Sequence, residues 1–349
     1  MLPIHCPSRP SLLVILLQDF IFICNILHSL SAAHNHCLGR HSATEPQEFA
    51  SMDTENLTSV AVVGPGAIGT TIAAVLHEVG RTPLLCGRTF RDHLTLQEGD
   101  RLISIPGPVR TDPGQIDHTV DLVFLAVKTT QTEAAAGWLA ALVGPQTVVC
   151  VLQNGVEQRE TIAPHCPCGQ VVPAVVWFPA QAQADGSVRL RGDARLSLPD
   201  APASRVIAEA LQGTRCFVEL AADFRSLAWR KLLQNAAAGL MALTHRRAGM
   251  FSRSDISRLT LDYLQECLVV ARAEGAELDD EVPQAILDTF LAFPADMSTS
   301  ILTDREAGRP LEWDIRNGVI SRLGRAHGIA TPISDVLVPL LAAASDGPG

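Results

Sequence analysis

The chain has 349 residues, 47% of them hydrophobic and 18% charged. That is enough apolar material for two ordinary domains and excludes general disorder. Its formal net charge of −10 argues against a nucleic-acid or anionic-membrane partner, so any bound anion must be gripped locally by backbone amides and a few placed cations.

The nine cysteines are scattered rather than framed. Cys86, Cys150 and Cys216 lie in apolar runs as small core hydrophobes. "HCPC" (165–168) holds one histidine, no second ligand pair and a proline, so no metal site is expected. A reducing compartment and a cytoplasmic location fit best.

Residues 1–56 are read as an extension outside the fold. "SLLVILLQDFIFICNILHSLSAA" (11–33) is apolar, follows Arg9 and ends in small residues, as a signal peptide or anchor does. Gln18, Asp19, Asn25 and His28 interrupt it, which argues against a clean membrane span. The preferred reading is a natural start at Met52, with the upstream stretch mis-assigned.

The first domain is expected over 57–222. The run "VAVV" (60–63) leads into Gly64, Pro65, Gly66, Ala67, Ile68 and Gly69, then a helix-patterned segment to about 79. A glycine turn between a strand and a helix is the dinucleotide-binding arrangement. Gly64 permits the tight turn, Gly66 admits a pyrophosphate to the backbone, and Gly69 lets helix and strand pack. Pro65 stiffens the turn, and the free N–H groups of the helix start favour an anion.

The second strand, "TPLLCGR" (82–88), ends in Arg88 where an NAD site usually carries an acid. A guanidinium suits a 2′-phosphate, so NADP(H) is the expected cofactor. "VDLVFLAVK" (120–128) and "TVVCVLQNG" (147–155) are continuous apolar runs, as buried parallel strands are, and end in Lys128 and Asn154. Both residues fall beyond strand carboxyl ends, where cofactor and substrate should meet. Between them, "TQTEAAAGWLAALVG" has helical spacing. The short segments 171–178, 188–190, 195–198 and 217–220 are expected to extend the sheet in antiparallel fashion.

A helical second domain is expected over 223–345. "DFRSLAWRKLLQNAAAGLMALTH", "SRLTLDYLQECLVVARAEGAEL" and "PLEWDIRNGVISRLGRAHGI" repeat apolar residues at i, i+3, i+4 and i+7. Arg322, Arg325 and His327 read as a solvated face. Lys231, Asn235 and Gly239 share one helix stripe. A lysine among apolar neighbours can donate a proton to a developing alkoxide, its pKa lowered by burial. Asn235 can hydrogen-bond substrate oxygens, and Gly239 leaves space beside them. "MSTSILTDREAGRPLEWD" (297–314) adds Ser300, whose hydroxyl can grip a carboxylate, with Asp304 and Glu312. Taken alone, Glu312 reads as a cap-region acid.

The motifs "GPGAIG", "GR" (87–88), "AVK" ending at Lys128, "LQNG" (152–155), "KLLQN" (231–235) and "STSILTD…G…EWDIRNG" together resemble the ketopantoate reductase (2-dehydropantoate 2-reductase) family, in order over nearly all of 57–335. The resemblance implies an α/β fold: an N-terminal Rossmann-type dinucleotide-binding domain, then an all-helical domain like the C-terminal part of 6-phosphogluconate dehydrogenase. It implies Lys231 as catalytic proton donor, Asn235 and Ser300 as substrate contacts, Glu312 near substrate and cofactor, and Lys128 and Asn154 on the NADP side. The implied activity is NADPH-dependent reduction of 2-dehydropantoate to (R)-pantoate, in pantothenate synthesis.

Two departures bear on the substrate. The family often has an asparagine at the position of Gly239 and can offer an amide near that of Met297. A less hydroxylated 2-oxo acid is therefore a rival substrate, and an NADP-binding sensor without turnover is a more distant rival. The sequence fixes no oligomeric state, although exposed helices of the second half leave room for a homodimer.

Overall fold

The computed structural model describes residues 59–347. The expected N-terminal extension and the Met52 start lie outside the described residues. The run Val60–Val63 forms β1, and α1 (Ala67–His77) follows the glycine turn. Next come β2 (Leu84–Cys86), the hairpin β3 (His93–Glu98) and β4 (Arg101–Pro106), and β5 (Leu122–Leu125). Then follow α2 (Thr132–Leu142), β6 (Val148–Val151), α3 (Gln158–Ile162) and β7 (Gln170–Pro173).

Strands β2-β1-β5-β6-β7 form one five-stranded sheet, parallel throughout. Every residue of β1, β5 and β6 is buried, because apolar layers cover both faces. Alternation divides them: Val62, Phe124 and Cys150 join Ile72 and Leu76 on one face, while Val63, Leu125 and Val151 join Trp138 and Leu139 on the other. The chain leaves β1 for β2 on one side and returns to β5 on the other. This reversal opens a crevice at the carboxyl ends of the strands.

The later short strands depart from the expected antiparallel extension. They are β8 (Val175–Val176), β9 (Ala180–Ala182), β10 (Val188–Leu190), β11 (Arg195–Pro199) and, after α4 (Pro202–Ala210), β12 (Phe217–Ala221). Strand β7 joins the main sheet in parallel, and the others build two further sheets, β4-β3-β10-β9 and β12-β11-β8. β9 pairs with β10, and β8 with β11, in the expected antiparallel sense, but β10 runs parallel to β3, and β11 parallel to β12. The reason is α4, a helix the sequence reading passed over. It supplies the crossover that a parallel pair needs. The β3–β4 hairpin, also unread, offers the edge on which β10 pairs.

From residue 223 the described chain is helical: α5 (Phe224–Thr244), α6 (Ser254–Ala273), α7 (Val282–Ala292), α8 (Ser300–Glu306), a π-turn (Asp314–Gly318), α9 (Val319–Ala326) and α10 (Pro332–Asp346). The Asp223 carboxylate accepts from the Ser226 N–H and caps α5. Helix α5 is buried on most of its circumference, with Trp229, Leu233, Ala237 and Met241 in a core shared with Tyr263, Leu264 and Phe290. It is the central helix of this half, so its few polar side chains need a reason to be there. Arg322 and His327 are not simply solvated. Arg322 pairs with Glu157 at 2.6 Å, joining the two halves, and with Asp314 at 3.0 Å, while His327 contacts Glu274 at 2.5 Å. Among the described residues no helix is long and apolar enough to cross a membrane.

Candidate active site

The glycine turn is shaped by close approach at two positions and by open space at the third. Gly64 has φ +89°, and a Cβ there would fall 2.8 Å from the Val127 nitrogen. A Cβ on Gly69 would fall 2.4 Å from the Gly64 carbonyl oxygen, which is how α1 packs so near β1. At Gly66 a Cβ would meet nothing within 4 Å. Gly66 is exposed at the N-cap of α1, with no side chain capping the helix start. Ala67 and Ile68 form the first turn, and Pro65 packs against Gly87, next to Arg88. Arg88 is exposed after β2 and makes no hydrogen bond or ion pair among the described residues. Open backbone, free helix-start N–H groups and an uncommitted cation fit a dinucleotide phosphate.

Lys128, Asn154 and Ala174 follow β5, β6 and β7 at the same edge of the sheet. Helix α5 crosses this edge. A pocket there is lined by Asn154, Gly155, Val176, Lys231 and Asn235, among others. Asn235 donates to the Asn154 side-chain oxygen at 3.3 Å, and Asn154 donates to Glu312 at 3.3 Å. The Glu312 carboxylate also accepts from the Thr129 N–H at 3.1 Å and the Thr129 hydroxyl at 3.2 Å. Burial pushes the Glu312 carboxyl up. The Arg316 charge, the Thr129 N–H, Lys128 and Asn154 outweigh burial and hold it below its usual range. Glu312 is therefore not the cap-region acid expected from its place in the chain. It is 7% exposed and ties β5, β6 and the π-turn together.

Lys231 projects from the buried helix without a hydrogen-bond or ion-pair partner among the described residues. Its ammonium lies 4.8 Å from the Trp177 ring centroid. The indole is fixed in turn: its N–H donates to Ser197 at 2.8 Å, and Ser197 donates to Glu219 at 2.7 Å. The Arg195 guanidinium lies 5.2 Å from the same ring. Desolvation first, then the charges of Arg316 and Arg195, lower the Lys231 pKa to about 8. At neutral pH the amine remains mostly protonated, and it gives up its proton far more readily than an ordinary lysine.

Two sequence expectations need revision. The space beside Gly239 is not open: a Cβ there would fall 2.7 Å from the Asn317 amide nitrogen. Asn317 fills the gap, donating to the Ala236 carbonyl at 3.0 Å and the Tyr263 hydroxyl at 2.9 Å. Lys128 forms a 2.5 Å ion pair with Asp304, which also binds Arg309 at 2.9 Å, so its charge is already engaged within the protein. Ser300 is exposed at the start of α8 and accepts from Arg316 at 3.0 Å. Met297 packs against the helical core. Trp177, Arg195, Thr129 and Arg316 were not singled out as site residues in the sequence. Only Arg316 stood within a quoted motif, and none is marked by local spacing.

An open parallel sheet with a glycine turn at its switch point, faced across a crevice by a helix carrying a pKa-lowered amine, defines a two-domain Rossmann-type oxidoreductase architecture. The description "Ketopantoate reductase PanE/ApbA" matches residues 60–203, and "Ketopantoate reductase PanE/ApbA C terminal" matches residues 223–345. The chain is 56% identical over 293 residues to a 2-dehydropantoate 2-reductase of Mycobacterium tuberculosis, covering 84% of this chain and 99% of the relative. It is 38% identical over 290 residues to one from Caulobacter vibrioides, covering 83% and 100%. A dimeric ketopantoate reductase from Staphylococcus aureus superposes with a TM-score of 0.77 at 28% identity, covering 83% of this chain and 100% of that one. The chain belongs to the ketopantoate reductase family.

Proposed function

We propose that this chain is an NADPH-dependent 2-dehydropantoate 2-reductase, reducing its substrate to (R)-pantoate with Lys231 as proton donor. The observation that carries the reading is the Lys231 amine, with a pKa of about 8, at the crevice beside Asn235 and Asn154. NADPH, when bound, supplies the hydride that adds to C2 of the 2-oxo acid. The carbonyl π pair moves onto oxygen, and the Lys231 ammonium gives that oxygen its proton, to be reprotonated from solvent. The glycine turn from Gly64 to Gly69 would hold the pyrophosphate, and Arg88 would hold the 2′-phosphate. Asn235 and Ser300 orient the substrate. Asn154 and Glu312 brace the substrate and the nicotinamide side, with Lys128 behind them.

NADPH oxidation by the full chain with ketopantoate, run beside NADH, tests the reading. Ketopantoate-dependent consumption of NADPH, and slower use of NADH, is the expected result. A rate that stays at background across a panel of 2-oxo acids overturns it and leaves a cofactor-binding sensor. A second reading, a less hydroxylated 2-oxo acid, is supported by Asn317, which fills the Gly239 gap and spends its amide N–H groups on Ala236 and Tyr263. Equal rates on ketopantoate and on an analogue lacking its terminal hydroxyl would favour it.

A cytoplasmic location accords with six free cysteines among the described residues. A homodimer through the helical half accords with Val336 and Leu340, exposed one turn apart on α10. Sedimentation would read the dimer directly.

A further inference from the structure

Arg316 is the largest side chain among the described residues to be almost completely buried, at 2% exposure. A buried guanidinium is unfavourable unless its charge is paired and its five N–H donors are used. Arg316 is paired only loosely, with Glu312, and leaves a buried donor unused. It makes one hydrogen bond, from Nη2 to the Ser300 hydroxyl at 3.0 Å. The carboxylate nearest it, Glu312, stands 3.5 Å away and already accepts from Thr129 and Asn154. The Arg316 Nε is buried without a partner. So is the hydroxyl of Thr299, the residue before Ser300.

Arg316 is joined to the site through Glu312, which accepts from Asn154, which in turn accepts from Asn235 one turn from Lys231, and there the proposed reaction needs an anion site. A 2-oxo acid carries its carboxylate on C1, directly beside the C2 carbonyl. Whatever grips the carboxylate must therefore sit next to whatever protonates the carbonyl oxygen. Arg316 lies within electrostatic reach of Lys231 and helps lower its pKa. It is carried by the π-turn, a local widening of the helix of the kind often found at functional sites. The turn sends Arg316 toward α8 while its neighbour Asn317 points into α5. The charges agree: Asp304 serves both Lys128 and Arg309, and Glu312 alone faces Arg316, so the crevice is short of negative charge.

We propose that Arg316 is the carboxylate-binding residue of the substrate site, with the Thr299 and Ser300 hydroxyls completing the subsite. This rests on the reading of the protein as a 2-oxo acid reductase. A guanidinium fork donates two parallel hydrogen bonds to a carboxylate, which also fixes the face that C2 presents. A bound carboxylate offsets the Arg316 charge and adds a negative one near Lys231. The substrate thereby raises the Lys231 pKa and secures the proton that it will receive.

The test compares a 2-oxo acid with its uncharged methyl ester, using the full chain and its Arg316→Gln, Arg316→Lys and Thr299→Val variants. For Arg316→Gln, the KM for the acid is expected to rise about 10²- to 10³-fold. The ester should change only a few-fold, NADPH affinity should hold, and Arg316→Lys should recover part of the loss. Thr299→Val, a nearly isosteric change, should raise the KM for the acid about tenfold. In the wild type, the alkaline limb of kcat should lie at higher pH than that of kcat/KM. A parallel fall for acid and ester in Arg316→Gln, or an unchanged KM for the acid in both Arg316→Gln and Thr299→Val, overturns the assignment while leaving the reductase reading intact. Should the wild type reduce no 2-oxo acid, titration of pyruvate decides the subsite separately. Binding that is lost in Arg316→Gln supports it, and binding that is unchanged overturns it.

Discussion

The two walls of the crevice are built on different principles. The glycine turn is one contiguous segment, in which a strand, six residues and a helix start contain the whole proposed pyrophosphate site. The facing wall is assembled from α5, the loop after β8, the π-turn and the start of α8, segments scattered from Trp177 to Arg316. A contiguous site depends on backbone shape and carries its signature in the sequence. A distributed one depends on which side chains the fold brings together.

The largest effect that would test this contrast is in the distributed wall. Lys231→Ala should lower kcat about 10²- to 10⁴-fold while leaving NADPH binding unchanged, as measured by fluorescence titration. Its pH signature has a definite sign. The donor works only while protonated, so kcat/KM should hold below pH about 8 and fall as pH rises through the Lys231 pKa. An alkaline limb near the ordinary lysine value would remove the electrostatic basis of the assignment.

Next in size is the cofactor choice. Arg88→Ala should reduce the preference for NADPH over NADH by about 1.5–3 kcal/mol, the worth of hydrogen bonds to a charged group. Paired kcat/KM values for the two cofactors read this directly. An unchanged ratio would make Arg88 a surface residue.

Within the contiguous wall, the glycines separate fold from binding. Gly69→Ala should destabilise the protein by about 1–3 kcal/mol in chemical denaturation, because its Cβ collides with the Gly64 carbonyl. Gly66→Ala meets open space, so stability should stay within about 0.5 kcal/mol. NADPH affinity should nevertheless weaken about tenfold or more, or about 1.4 kcal/mol.

The smallest effect is a control on the helix that carries Lys231. His245 ends α5 in the left-handed region at φ 55°, where glycine avoids a penalty of about 1 kcal/mol. His245→Gly should raise stability by about that amount in a melting experiment without altering kcat. A change in kcat would mean that the end of α5 is coupled to the amine.

Much of the fold was legible because it follows from near neighbours. Continuous apolar runs marked β1, β5 and β6, the glycine turn marked the start of α1, and the 3.6-residue period marked α5 and α6. Strand pairing was not legible beyond β6, since whether β11 runs parallel to β12 depends on α4 lying between them. The helix stripe put Lys231 and Asn235 on one face, yet no spacing could indicate that Trp177 supports the amine or that Asn317 occupies the gap at Gly239.

The amino-acid order alone determined the elements whose stability is decided within a turn or a strand: the glycine turn, the buried sheet and the amphipathic helices. Only the tertiary structure decided the surroundings of the amine, the burial of Glu312 and Arg316, and the commitment of Lys128 to Asp304. Steric and periodic preferences act over a few residues and leave a local trace. Desolvation and charge pairing act through space between segments far apart in the chain, and they exist only once the chain has folded.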